Sequence, residues 1–203
     1  MAKKIPDDIN FTGKVTFKDN TTYSDDGMAW DDFRVAGNTT RRGAANKPAF
    51  IQVMNDGASS VGVYADKFDA DQRQDFFFSM QMPHDYKLNS PVFPHLHWMP
   101  LDGGEGFVKF EFEYTYADID GTFEDTATQE VTVSIDEDQY KHIMTEFPNS
   151  IDPNFTGVSG MFMCRLSRLA DDAGDTFTGD IAIVEFDIHY QRDSMGSRTA
   201  TTK

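Results

Sequence analysis

Apolar and polar side chains alternate along much of this chain, most clearly between residues 76 and 116. Phe76, Phe78, Met80 and Met82 fall on one side of an extended chain, with Phe77, Ser79 and Gln81 on the other. Leu96 and Trp98 share a side opposite His95 and His97. Val108, Phe110, Phe112, Tyr114 and Tyr116 alternate with Lys109, Glu111, Glu113 and Thr115. Successive strand side chains point to opposite faces, so a period of two predicts strands with one face in a core. The pattern recurs at 131–135 and 158–166. In the last such stretch, Ala182, Val184, Phe186, Ile188 and Tyr190 are expected inward, and Glu185, Asp187, His189 and Gln191 outward. Residues 50–54 and 61–64 predict a hairpin across Asn55-Asp56-Gly57. A shorter strand is expected at 14–18, with Val15 and Phe17 inward.

Pro83, Pro91, Pro94, Pro100, Asp102-Gly103-Gly104 and Asp120-Gly121 punctuate these runs. Residues 136–144 predict the one short helix, with Asp136 as its cap, Gln139 three positions on, and Tyr140, Ile143 and Met144 on a shared face. Residues 30–48 predict a mostly irregular segment in which Trp30, Phe33 and Val35 are isolated apolar anchors. About ten short strands with at most one helix predict an all-β chain, an antiparallel β-sandwich of jelly-roll type. The expected partition is an N-terminal arm over residues 1–12, a single sandwich domain over 13–191, and a C-terminal tail over 192–203.

Composition narrows the function classes. Of 203 residues, 39% are hydrophobic and 18 are Phe, enough for a sizeable core. A net charge of −16 repels phosphate backbones, so nucleic acid is not an expected partner. The same charge suits docking onto a basic surface. No apolar run reaches membrane-spanning length, so no membrane is expected either. The opening residues, MAKKIPDDIN, lack the apolar stretch of a secretion signal, which predicts synthesis and residence in a cytoplasm. Cys164 is the only cysteine and lies in an apolar run, which predicts a buried, inert thiol.

Candidate chemistry is sparse. His95 and His97, at i and i+2 on a strand, point the same way, as metal-binding pairs on β-barrels do, and His189 is a conceivable third ligand. A cupin-type site would follow such a pair closely with a Glu. Here the first Glu is Glu105, beyond the Gly103-Gly104 turn. No metal and no cofactor are therefore expected, with His95 and His97 the only weak metal candidates. Asp118, Asp120, Glu124 and Asp125, and also Asp171, Asp172, Asp175 and Asp180, have oxygen donors without the spacing of a calcium loop, and read as solvated turns. No nucleophile elbow, phosphate loop or dinucleotide fingerprint occurs, and no catalytic residue is assigned.

Four stretches together resemble a family of tailed-bacteriophage structural proteins. They are WDDFRV at 30–35, QMPHDYKLNS at 81–90, PHLHW at 94–98 and, most specific, FDIHYQRDSMGSR at 186–198. They run in matching order across most of the chain. The resemblance implies a virion component without catalytic residues, placed in the virion after synthesis in the host cytoplasm. The leading expectation is a capsid decoration or cement protein on the outer head shell. The alternatives are a tail, neck or fibre component and, from another class, a metal-dependent or carbohydrate-active β-barrel enzyme. Partners would be the major capsid protein and further copies of the chain, as a homo-oligomer. Contacts are expected at Ile5, Ile9, Phe11, Trp30, Phe33, Arg41, Arg42, Arg192 and Arg198, where apolar or arginine side chains stand outside the periodic pattern.

Overall fold

The computed structural model describes residues 15–16, 22–23, 29–36, 40–43, 45–194 and 196–197. Among them lie thirteen strands and no helix. A small hairpin pairs β1 (Val15–Thr16) with β2 (Thr22–Tyr23). Next come β3 (Ala29–Ala36), β4 (Arg41–Arg42), β5 (Ala49–Met54) and β6 (Val63–Phe68). The central run supplies β7 (Gln74–Gln81), β8 (Phe93–Pro100) and β9 (Glu105–Ala117). The remainder are β10 (Ala127–Asp136), β11 (Ile143–Glu146), β12 (Met161–Arg168) and β13 (Ile181–Arg192).

Eight consecutive strands, β6 to β13, make the sandwich. One sheet runs β10-β9-β12-β7, extended at its edge by β4. The other runs β11-β8-β13-β6, extended by β5, with β3 also paired to β13. Between β6 and β13 every connection crosses from sheet to sheet except the β9–β10 hairpin, and all these pairings are antiparallel. This is the jelly-roll order, two sheets that share one core. The alternation places the core between them. Phe186 lies with its ring centroid 4.8 Å from Phe112 and 5.0 Å from Phe78. Trp98 stands edge-on to Phe110 at 5.1 Å, and its indole N–H donates to Thr145 Oγ1 at 2.9 Å, so its polar atom is satisfied inside the core. Cys164 is buried, and burial pushes its thiol well above the ordinary range, as expected for an inert sulfur.

Three expectations need correction. Residues 136–144 form no helix. Glu137 and Tyr140 both take positive φ, at 51° and 60°, and the Tyr140 N–H donates to Pro100 O. Residues 143–146 then pair with β8 instead, which buries Thr145 and half-buries Ile143. Pairing with a sheet overrode a weak local signal. Second, residues 30–36 are not irregular: they form most of β3 along β13. Trp30, Phe33 and Val35 break strict alternation, which concealed the strand. Third, Val184 is 48% exposed rather than inward. Here β13 bulges: Ile183 pairs with Trp98 and Glu185 with the adjacent His97. Inward positions are therefore odd before the bulge (Ile181, Ile183) and even after it (Phe186, Ile188, Tyr190). The arm at 1–12, the side chains of the 14–18 stretch and most of the tail lie outside the described residues.

The outer face of the first sheet is a charge network. Arg165 donates to Glu113 Oε2 (2.8 Å), Glu111 Oε1 (2.7 Å) and Asp75 Oδ1 (3.1 Å). Elsewhere Arg168 is fully buried, with bidentate bonds of 3.0 Å to the buried Asp175 and 2.8 Å bonds to the carbonyls of Phe177 and Gly179. Every part of that ion pair is satisfied, which is the condition for tolerating it in a core. It ties the 169–180 loop to β12.

Two measurements test this packing. Phe186→Ala should lower stability by about 3–5 kcal/mol in equilibrium urea unfolding, since a fully enclosed ring leaves a cavity. A loss below about 1 kcal/mol would contradict the core described. The second concerns acid. The Thr126 hydroxyl, followed by Arg165, holds the Glu113 carboxyl below its ordinary pKa. A depressed folded pKa contributes stability that is complete above the unfolded value, about 4.3, and is lost as pH falls through the folded value. Glu113→Gln should therefore flatten the acid limb of a stability–pH curve and leave its neutral shape unchanged.

Candidate functional site

The outer face of the second sheet carries the chemistry. Residues opposite one another across antiparallel strands share a side, so the registers define this surface. After the bulge, β13 presents Glu185, Asp187, His189 and Gln191 outward. Opposite them β8 presents His97, His95 and Phe93, and β3 presents Arg34, Asp32 and Trp30. On the far side of β8, β11 adds Met144 beside His97 and Glu146 beside His95. Four of the chain's five histidines thus meet here, His142 joining from the turn before β11.

Asp187 is the centre. It is buried at 4% exposure, with Oδ2 3.0 Å from His97 Nε2. A carboxylate only accepts, so His97 Nε2 donates to it, and His97 Nδ1 meets His142 Nε2 at 2.8 Å. The other oxygen, Oδ1, is 3.2 Å from His95 Nδ1 but outside hydrogen-bond alignment, and no donor satisfies it. The Asp187 carboxylate raises the His95 pKa above the ordinary imidazole value; burial opposes it, and Glu146 and Asp32 add to it. Nearer the edge, His189 Nδ1 is 2.6 Å from Asp32 Oδ1. The His189 ring stacks on Trp30 at 4.7 Å and on His95 at 5.6 Å. Trp30 also meets Phe93 edge-on at 5.7 Å and remains 44% exposed.

The structure distributes the other sequence candidates differently. His95 and His97 do point the same way, and His189 joins them, but Asp187 and Asp32 complete the cluster. Sequence reading had Asp187 only as an outward strand residue. Phe33 points inward and packs against the core. Arg41 is exposed, while Arg42 lies over the Phe50 ring at 5.5 Å and pairs with buried Asp66 through Nε at 2.6 Å. Arg192 pairs with Asp31 (2.9 Å) and Asp85 (2.6 Å). Ile5, Ile9, Phe11 and Arg198 lie outside the described residues. Three residues of the acidic turns are engaged internally: Asp118 Oδ2 accepts from the N–H and hydroxyl of Thr156, and Asp172 and Asp180 pair with Lys109 and Lys67.

No protein-family model matches the sequence, and a search of curated proteins finds no match. Among solved structures, the chain is similar to the CBM22-1 xylan-binding domain of Paenibacillus barcinonensis Xyn10C, at 10% identity and a TM-score of 0.42, over 83% of this chain and 97% of that one. The CBM22-2 xylan-binding domain of the same protein gives 14% identity and 0.43, over 78% and 98%. The insecticidal delta-endotoxin Cry8Ea1 of Bacillus thuringiensis gives 9% and 0.36, over 73% and 22%. At these values the likenesses carry no reading of what this chain binds.

The Asp187–His95 coupling has a direct check. In Asp187→Asn the His95 pKa should fall toward the ordinary value of about 6.5, read by NMR titration of its ring protons. An unchanged midpoint would mean that the buried carboxylate does not set it.

Proposed function

We propose that this chain is a non-enzymatic structural protein of a tailed-phage particle: a capsid decoration or cement protein that binds and braces the outer head shell. The observation that supports this reading is the meeting in space of the four segments that carry the family resemblance. WDDFRV falls within β3, PHLHW within β8, and FDIHYQR within β13, where it lies between the other two. The fourth segment, at 81–90, folds over the end of β13. There Lys87 N–H donates to Gln191 O at 2.8 Å, Asp193 N–H to Asp85 O at 3.2 Å, and the Tyr190 hydroxyl to Asp85 Oδ1 at 3.0 Å. The four segments thus form one contiguous block of the fold.

The surface is compatible with attachment. Phe50, Val61, Val63 and Tyr64, all on or beside the β5–β6 hairpin, are between 45% and 76% exposed. Large apolar groups gathered on one exposed element are characteristic of protein interfaces. In this reading the hairpin faces the major capsid protein, an acidic chain meets a basic shell, and neighbouring copies interlock. Synthesis takes place in the host cytoplasm, the virion is the destination, and no catalytic step is assigned.

Particles of the phage that encodes the chain provide the test. Quantitative mass spectrometry should find it in stoichiometry with shell subunits. Added back to particles that lack it, the protein should bind saturably. Phe50→Ser with Val63→Ser should weaken that binding at least about tenfold while the fold persists, because both side chains face solvent. A few copies per particle would move the protein to the tail, neck or fibre, and absence from particles would overturn the proposal.

A further inference from the structure

We propose that Asp32, His95 and Asp187 bind one divalent first-row transition-metal ion on the outer face of the second sheet. One donor atom from each lies within 4.8 Å of the other two. The three residues come from three adjacent strands, β3, β8 and β13, so backbone pairing sets their spacing rather than a mobile loop. Metal–ligand bonds of about 2.0–2.2 Å let one ion touch donors up to about 4.2 Å apart. The Asp32 carboxylate, with 45% of its side chain exposed at the edge of the cluster, closes the remainder by turning about the oxygen that His189 holds.

A second observation points to a ligand independently of that spacing. Asp187 is more than nine-tenths buried, and its Oδ1 faces His95 with no hydrogen-bond donor. A buried, unsatisfied carboxylate oxygen is destabilising. An ion between Oδ1 and His95 Nδ1 would satisfy it, displacing the imidazole proton as it binds.

The remaining histidines have the places that orienting residues take around a metal. His97 holds Asp187 through Oδ2, leaving Oδ1 for the ion, and His142 backs His97. His189 holds Asp32 through Oδ1 and is itself clamped by Trp30. Each carboxylate ligand is thus fixed by a neighbouring ring, the arrangement that sets ligand direction in metal sites. One imidazole and two carboxylates suit Zn2+ or Mn2+ better than Ca2+, which takes oxygen alone. Three protein ligands leave coordination positions open toward solvent, for water or for a donor from a partner. The sequence expectation of no metal weighed His95 and His97 as the ligand pair; the fold instead makes His95 a ligand and His97 an orienting residue.

Calorimetric titration of the full chain with Zn2+ decides the matter, and it does so separately from the virion reading. One ion per chain should bind saturably, and Zn2+ should raise the melting temperature in a manner reversed by a chelator. His95→Gln and Asp32→Asn should each weaken binding at least about tenfold. His84→Gln should bind as the parent does, because His84 is held elsewhere by Ser159 and Ser197. Should His95→Gln fail to fold, Asp32→Asn, an exposed edge position, carries the test. No saturable binding, or equal binding by the parent and Asp32→Asn, would overturn the proposal.

Discussion

Strand β13 is covered on both faces, and that constraint organises the molecule. On one side Phe186 and Ile188 enter the aromatic core between the sheets. On the other, Asp187 is buried beneath a layer of histidines, although it lies on the outer surface of its sheet. A buried carboxylate must be given partners or it destabilises the strand that carries it. Here β8 supplies His97, which bonds Oδ2, and His95, which faces Oδ1 at 3.2 Å without completing a hydrogen bond. The bulge at Val184 makes this possible, because it shifts the parity of β13 by one residue. Without it, the alternation set by Ile181 and Ile183 would turn Asp187 and His189 into the apolar core and Phe186 out of it.

The two outer faces of the sandwich show how differently a sheet surface can be settled. The first sheet spreads Arg165 across three carboxylates on neighbouring strands, a network whose members remain partly solvated. Such pairs contribute modestly and lose strength with salt. The second sheet gathers imidazoles, carboxylates and an indole into a stacked layer. One face is a balanced charge lattice; the other is a set of donors with an unsatisfied oxygen at its centre. That difference assigns the chemistry to the second face and a framework role to the first.

The proposed roles fit on one scaffold without competing for surface. The segments of the family resemblance all converge on β13, and the cluster sits in the middle of that block. The exposed apolar hairpin β5–β6 belongs to the same sheet, where β6 flanks the first part of β13 and β3 the second. The proposed attachment surface and the proposed ion site are therefore braced by a single central strand.

Fold class was legible in the sequence because alternation is a local property. Phe76 to Met82, Leu96 and Trp98, and Val108 to Phe112 declare their buried faces without reference to the rest of the chain, and the structure buries them. The direction of His95 and His97 was legible for the same reason. Partners were not. Asp187 lies across the strand ladder from His95, and Asp32 is separated from both by a long stretch of chain, so no spacing rule connects them. The Val184 bulge, the strand character of 29–36 and the replacement of a helix by β11 all depended on which neighbour offered backbone hydrogen bonds. Side-chain period is written residue by residue along the chain. Register and cross-strand company are decided only when the sheets close over a common core.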